Sequence, residues 1–162
     1  MILQNILRQS FSAAAKQKFL VLFGAPGVGK GTYAKMLRKD LGLNHISTGD
    51  EIRKILTGKV SATFDRNLLE KVNSIVKSGG LVDDDIVLSI IKEKIKEPES
   101  SKGVILDGFP RTKGQLEKYD KLFPIHVVLN ITLKDDILLE KLMGRRTCKG
   151  CGQSFNICNI QR

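Results

Sequence analysis

Apolar residues in this chain come in two forms, short unbroken runs and stripes at helical spacing, and the two forms alternate. Phe19-Leu20-Val21-Leu22-Phe23 is an unbroken run of strand length, as expected for a strand covered on both faces. A helical pattern follows, with Ala34, Leu37 and Leu41 on one face. Asn44-His45-Ile46-Ser47 reads as a short second strand. Glu51 to Leu56 reads as the start of a helix, with Ser47 or Thr48 as its N-cap. Phe64 to Val76 carries Leu68, Leu69, Val72 and Val76 at helical spacing, and Gly79-Gly80 ends it. Asp83-Asp84-Asp85 caps the next helix, whose apolar positions are Ile86, Val87, Ile90, Ile91 and Ile95. Pro98 to Lys102 is a loop. Gly103 to Asp107 is a third strand, Gln115 to Leu122 a helix, Val127 to Ile131 a fourth strand and Asp135 to Met143 a helix. Beyond Gly144 no helix or strand partner is evident. Strands separated by helices imply parallel βαβ units, hence an α/β fold with helices on both faces of the sheet.

The first residues stand apart from this alternation. Residues 1–18 contain no acid, and Leu3, Ile6, Leu7, Ser10, Phe11 and Ala14 share one helical face, with Arg8, Ser12 and Lys16 off it. An acid-free, amphipathic stretch with Arg, Ser and Ala matches a mitochondrial transit segment over residues 1–17. The other reading is an N-terminal docking helix on a cytoplasmic protein.

Composition narrows the function classes. With 162 residues the chain suits one core. Its 41% hydrophobic and 27% charged content is that of a soluble globular protein. No apolar run approaches the ~20 residues of a membrane span, so no membrane partner is expected. The net charge of +10 suits a polyanionic partner. Nucleotides fit that better than nucleic acid, because there is no Trp, there are 2 Tyr, and no basic run is interleaved with aromatics. Cys148, Cys151 and Cys158 cluster near the C-terminus. Their odd number argues against a disulfide framework and for free or metal-bound thiols in a reducing compartment.

The candidate chemistry begins at Gly24-Ala25-Pro26-Gly27-Val28-Gly29-Lys30-Gly31-Thr32, between the first strand and the first helix. Strand, glycine loop, helix is the context of a phosphate-binding loop. Glycines let backbone N–H groups turn inward around phosphate oxygens, and the helix adds the positive end of its dipole. Lys30 supplies a mobile cation, and Thr32 can place its hydroxyl near Mg²⁺. Gly31 departs from the strict pattern, which puts Ser or Thr directly after the lysine. The bland alternative is a glycine-rich turn. Asp107, at the end of a strand near this loop, can hold Mg²⁺ through water.

Together with Ile46-Ser47-Thr48-Gly49-Asp50, Gly80-Leu81-Val82-Asp83-Asp84 and Asp107-Gly108-Phe109-Pro110-Arg111-Thr112, this loop resembles the adenylate kinases of the nucleoside monophosphate kinase family, from about residue 18 to residue 155. The resemblance implies Mg²⁺-dependent transfer of the terminal phosphoryl group of ATP to AMP, giving two ADP. It implies a P-loop three-layer fold whose core spans residues 18–144, with an AMP-binding insert at about 48–77 and a lid beginning at Arg145. Gly27, Val28, Gly29, Lys30, Gly31, Thr32, Lys141 and Arg145 would then meet ATP. Thr48, Arg53, Gly80, Leu81, Val82, Gly108, Phe109, Pro110, Arg111 and Gln115 would surround AMP. Thr48 with Gln115 favours adenine, since Gln115 offers both a donor and an acceptor to a base edge. Lys30, Arg111, Arg145 and Arg146 are the cations expected around the migrating group, with Asp107 on the metal.

Two departures from the family pattern bear on function. Lys141 stands where many relatives carry an arginine that stacks on the ATP base, and lysine lacks the flat surface. This leaves GTP open as donor. Cys148-x-x-Cys151 matches half of a zinc knuckle, and a structural Zn²⁺ needs four ligands. Residues 145–162 are expected to be the start of a truncated lid, with a fifth strand missing from the sheet. The chain is expected to be a monomer. The rival readings are a kinase with another donor or with UMP or CMP as acceptor, and a non-catalytic nucleotide-binding fragment.

Overall fold

The computed structural model describes residues 17–58, 66–77, 82–150 and 154–158. Four parallel strands form one sheet in the order β2-β3-β1-β4: β1 (Lys18–Phe23), β2 (Asn44–Ser47), β3 (Gly103–Asp107) and β4 (Val127–Asn130). β1 is central. Its Leu20 lies opposite Ile105 of β3 on one side and Val127 of β4 on the other. Successive side chains of a strand point to opposite faces, and both faces of β1 are covered, which is why it reads as an unbroken apolar run.

One face carries Phe19, Val21, Ile46, Val104 and Leu106. They pack against α4 (Asp84–Lys96), through Val87, Leu88, Ile91 and Ile95, and against Tyr119 of α5 (Lys113–Asp120). The opposite face carries Leu20, Leu22, Ile105, Val127 and Leu129, covered by Ala34 and Leu37 of α1 (Lys30–Leu41). The expected three layers are therefore present. Val128, which pairs with Val21, is 56% exposed, so β4 is covered on one face only.

Local signals set most helix ends. Gly42, at φ 68, ends α1 with its N–H on the Arg38 carbonyl. The Asp83 carboxylate accepts from the Ile86 N–H at 2.9 Å and starts α4. The Thr112 hydroxyl accepts from the Gln115 N–H at 3.1 Å, so α5 begins at Lys113, two residues earlier than the apolar spacing indicates. α2 (Thr48–Leu56) begins three residues before the expected Glu51, with Ser47 at its N-cap position.

α2 and α3 (Arg66–Lys77) pack together. Ile55 and Val72 close on Ile86 and Ile90 of α4, which fixes this helix pair to the core. Glu51, 5% exposed, is buried beneath it. Its carboxylate takes Lys54 Nζ at 2.6 Å and Lys94 Nζ at 3.4 Å, and Lys94 also reaches Glu97 at 2.8 Å. Burial works against the Lys94 charge, but the Glu97 hydrogen bond and the Glu51 charge outweigh it and hold the ammonium above its ordinary pKa. The buried carboxylate is thus shared between two cations.

The last described residues correct the reading that the chain end has no strand partner. β5 (Arg145–Thr147) pairs antiparallel with β6 (Ser154–Asn156), with Arg146 opposite Phe155. The hairpin is tied to α6 (Asp135–Met143): Asn156 Nδ2 donates to the Lys141 carbonyl at 2.7 Å and Cys158 Sγ to the Glu140 carbonyl at 2.8 Å. No described helix is long and apolar enough to cross a membrane.

Candidate functional site

The glycine loop leaves the carboxyl end of β1 and closes into α1. Gly24 has φ 139, and a Cβ there would collide with the Ile131 carbonyl. Gly27 has φ 90, and a Cβ there would lie 2.9 Å from Leu142 Cδ2 of α6. Both positions need glycine, for conformation and for room. α1 starts with no side-chain cap and no acid in its first turn. Its leading amides and dipole are thus offered to an anion without competition from a carboxylate. Lys30 Nζ folds over the loop, donating to the Gly24 carbonyl at 2.9 Å and the Ala25 carbonyl at 3.0 Å. The ammonium is held at the mouth of the loop. Val28 is buried, whereas Thr32 is exposed in the first turn of α1 and Gly31 has open space beside it.

β3 ends beside this loop, because Leu22 and Asp107 are opposite each other in the sheet. The Asp107 carboxylate is largely buried, with His45 Nε2 at 3.5 Å, beyond hydrogen-bond length. The Gly108 turn follows. Its carbonyl accepts from Thr48 Oγ1 at 3.0 Å and from Arg111 Nε at 2.7 Å. Gly108 has φ 78, and a Cβ there would sit 2.8 Å from Arg111 Nη2, so the guanidinium folds back over a glycine. Thr48 is 4% exposed, and its hydroxyl serves this turn rather than capping α2. Phe109 is buried against Tyr119, ring centroids 5.5 Å apart, and anchors the turn, with a cis peptide bond to Pro110.

Arg53, on the exposed side of α2, pairs with Asp50. Gln115 is 7% exposed. Its Oε1 accepts from the Arg111 N–H at 2.7 Å, and its Nε2 donates to Asp84 at 2.6 Å. Thr48, Gly108, Phe109, Pro110, Arg111 and Gln115 therefore form one bonded unit. Val82 packs on the apolar cluster of α2, α3 and α4. Gly80 and Leu81 lie outside the described residues, as do residues 1–16 of the expected transit segment.

α6 brings the third group of residues. Lys141 Nζ would lie 4.0 Å from a Cβ on Gly29, so its ammonium stands over the phosphate loop. Arg145 and Arg146 follow on β5, both exposed; Arg146 Nη1 donates to the Met143 carbonyl at 2.7 Å. Cys148 is half-buried, and Cys151 lies outside the described residues. Among the described residues no group of three or more His, Cys, Asp or Glu is placed to hold a metal. Sequence reasoning gives Asp84 only as a capping acid, because its bonds to Thr112 and Gln115 act across the fold and have no local signal.

The arrangement is two glycine-bearing loops rooted at the carboxyl ends of neighbouring strands, with α6 and its Lys141 beside the first of them. The family model "Adenylate kinase" matches residues 22–157. A protein of Plasmodium falciparum named "GTP:AMP phosphotransferase" is 41% identical over 145 residues, covering 88% of this chain and 61% of that protein. An "Adenylate kinase" of Treponema denticola is 39% identical over 137 residues, covering 85% and 63%. An "Adenylate kinase" of Solanum tuberosum is 42% identical over 153 residues, covering 93% and 51%. The chain spans about half to two thirds of the length of these relatives.

Proposed function

The chain belongs to the adenylate kinase family, and from that premise we propose that it transfers the terminal phosphoryl group of ATP to AMP, giving two ADP. The observation that carries this reading is the pairing of β1 with β3. Because Leu22 lies opposite Asp107, the phosphate loop and the Gly108 turn leave adjacent strands at nearly the same height. Strands in one sheet are about 4.8 Å apart. A donor on the first loop and an acceptor on the second would thus hold their phosphates side by side, as in-line transfer requires.

The roles follow from position. Residues Gly27 to Thr32 cradle the donor's phosphates, and Lys30 meets the outer ones. Arg111 leaves its Gly108 carbonyl to take the acceptor phosphate or the migrating group, a planar fork against two oxygens. Arg53, on the insert, takes the acceptor phosphate from the other side. Arg145 and Arg146 arrive with the hairpin and neutralise charge on the migrating group. Asp107 and Thr32 offer the hard oxygen donors that suit Mg²⁺, which when bound with ATP neutralises phosphate charge. Gln115 and Thr48 read the acceptor's base. The transit reading of residues 1–17 places this activity in mitochondria.

A second reading concerns the donor. The Lys141 ammonium stands over the loop and has no flat face for a base, which favours tolerance of GTP as well as ATP. The test is ADP formation by the chain with Mg²⁺, over ATP and GTP as donors and AMP, UMP and CMP as acceptors. The proposal expects turnover with AMP well above that with UMP or CMP. Binding of ATP and AMP without ADP formation would overturn transfer and leave nucleotide binding alone.

A further inference from the structure

Asp84 opens α4, but its side chain bonds across to α5. Its Oδ1 accepts from Gln115 Nε2 at 2.6 Å, and its Oδ2 accepts from Thr112 Oγ1 at 3.1 Å. Thr112 also accepts from the Gln115 N–H at 3.1 Å, so the same hydroxyl fixes the backbone of Gln115 and the carboxylate that holds its side chain. The far end of the carboxamide, Oε1, accepts from the Arg111 N–H at 2.7 Å.

These two partners have opposite and fixed polarity. A carboxylate only accepts, and a backbone N–H only donates. They therefore decide which end of the carboxamide is nitrogen and which is oxygen. Turning it over would set a carbonyl oxygen against a carboxylate and an amino group against an N–H. Two hydrogen bonds would be lost, one of them charge-assisted, at a position that is 7% exposed. Beyond these two bonds the carboxamide keeps one Nε2–H and one Oε1 lone pair, adjacent on one edge.

We propose that Asp84 is a positioning residue for selection of the acceptor base: by fixing the sense of the Gln115 carboxamide, it makes that edge complementary to a base with an acceptor nitrogen beside an amino group and opposed to a base with an N–H beside a carbonyl. This rests on the reading of Gln115 as the residue that meets the acceptor's base. Adenine presents the first pattern, with N1 and its 6-amino group. Hypoxanthine presents the reverse. Without the carboxylate only the Arg111 N–H holds that sense, so turning the carboxamide costs one neutral hydrogen bond instead of two, one of them charge-assisted, and the reverse pattern is admitted at lower cost. Asp84 itself touches no nucleotide in this account.

Calorimetric titration of the chain with AMP, IMP and ribose 5-phosphate tests this, in the wild type and in Asp84→Asn, Asp84→Ser and Gln115→Ala. Asn and Ser each donate or accept, so either removes the carboxylate's share of the fixed polarity while keeping a hydrogen bond. Both are expected to lower the AMP-to-IMP affinity ratio about tenfold or more, chiefly by tighter IMP binding, since polarity mismatch at a hydrogen-bonding site is what rejects the wrong ligand. Ribose 5-phosphate, which has no base, should bind as in the wild type. A purely structural role for Asp84 would weaken all three ligands together and leave the ratio alone. An unchanged ratio in whichever of the two Asp84 variants is folded overturns the proposal while the reading of Gln115 stands. A wild type that fails to prefer AMP over IMP, or a Gln115→Ala chain with the wild-type ratio, overturns the reading of Gln115 first and this proposal with it.

Discussion

Replacing Tyr119 by Phe is expected to stabilise the protein, against the usual direction for a core substitution. Tyr119 is fully buried, and its hydroxyl has no hydrogen-bond partner among the described residues. Its ring is held by Phe109 at 5.5 Å, Phe123 at 5.4 Å and Phe19 at 6.5 Å between centroids, and Phe keeps all three contacts. Burying an unpaired hydroxyl costs about 1–3 kcal/mol, and removing it returns that cost. The void left by one oxygen offsets up to about 1 kcal/mol, as for a methyl-sized cavity. The net gain is about 1 kcal/mol, which raises the melting temperature by roughly 2–4 °C in a chain of this size. Urea unfolding should show a higher midpoint at an unchanged slope.

The alkaline limb gives a second, signed readout. Burial pushes the Tyr119 phenol well above its ordinary value of about 10. The folded state therefore keeps a proton that the unfolded chain releases above that pH. The wild type holds this contribution in full below about pH 10 and loses it as pH rises further. Phe cannot ionise, so the variant's advantage should widen above that point by up to about 1.4 kcal/mol per pH unit. A Tyr119→Phe chain less stable than the wild type by about 1 kcal/mol at neutral pH would refute the reasoning, since that is the loss expected when a hydroxyl does have a partner.

Lys30→Met should lower turnover on the order of a hundredfold or more by removing a preorganised cation. Its two hydrogen bonds are to the rim of the loop, so the melting temperature should move by less than the equivalent of about 1 kcal/mol; near-normal turnover would sink the assignment. Residues 1–16 fused to a fluorescent reporter should carry it to mitochondria, and an even cytosolic signal on imaging would count against the transit reading.

How much could be read without coordinates depended on how local each signal was. β2, β3 and α6 fall where the pattern places them, because short apolar runs and charged caps mark their ends within a few residues. The phosphate loop was legible for the same reason: strand, glycines, lysine and helix are consecutive. α2 starts earlier than Glu51 because Ser47, one of the two residues the sequence offers, stands at its N-cap, while the hydroxyl of Thr48, the other, is committed to Gly108, sixty positions on. The β5–β6 hairpin was invisible. Arg145-Arg146-Thr147 and Ser154-Phe155-Asn156 are three residues each, too short for an alternation to stand out, and Arg145, Arg146, Phe155 and Asn156 are exposed; the pairing rests on backbone bonds and on the tie from Asn156 to α6. Asp84 reads from sequence as one of three capping acids. Only the packing of α4 beside α5 brings it to Gln115, thirty-one positions away, and distinguishes it from Asp85, whose carboxylate meets an exposed Lys118 instead.

The central claim is that the two loops at the ends of β1 and β3 pass one phosphoryl group between nucleotides. It is tested most directly with ATP labelled at its terminal phosphate, unlabelled AMP, Mg²⁺ and the chain, followed by separation of the products. The account predicts that label appears in ADP, at the β-phosphate, only when AMP is present, and that Lys30→Met suppresses it. Label that stays in ATP with AMP present, or that passes to inorganic phosphate at the same rate with and without AMP, would contradict it.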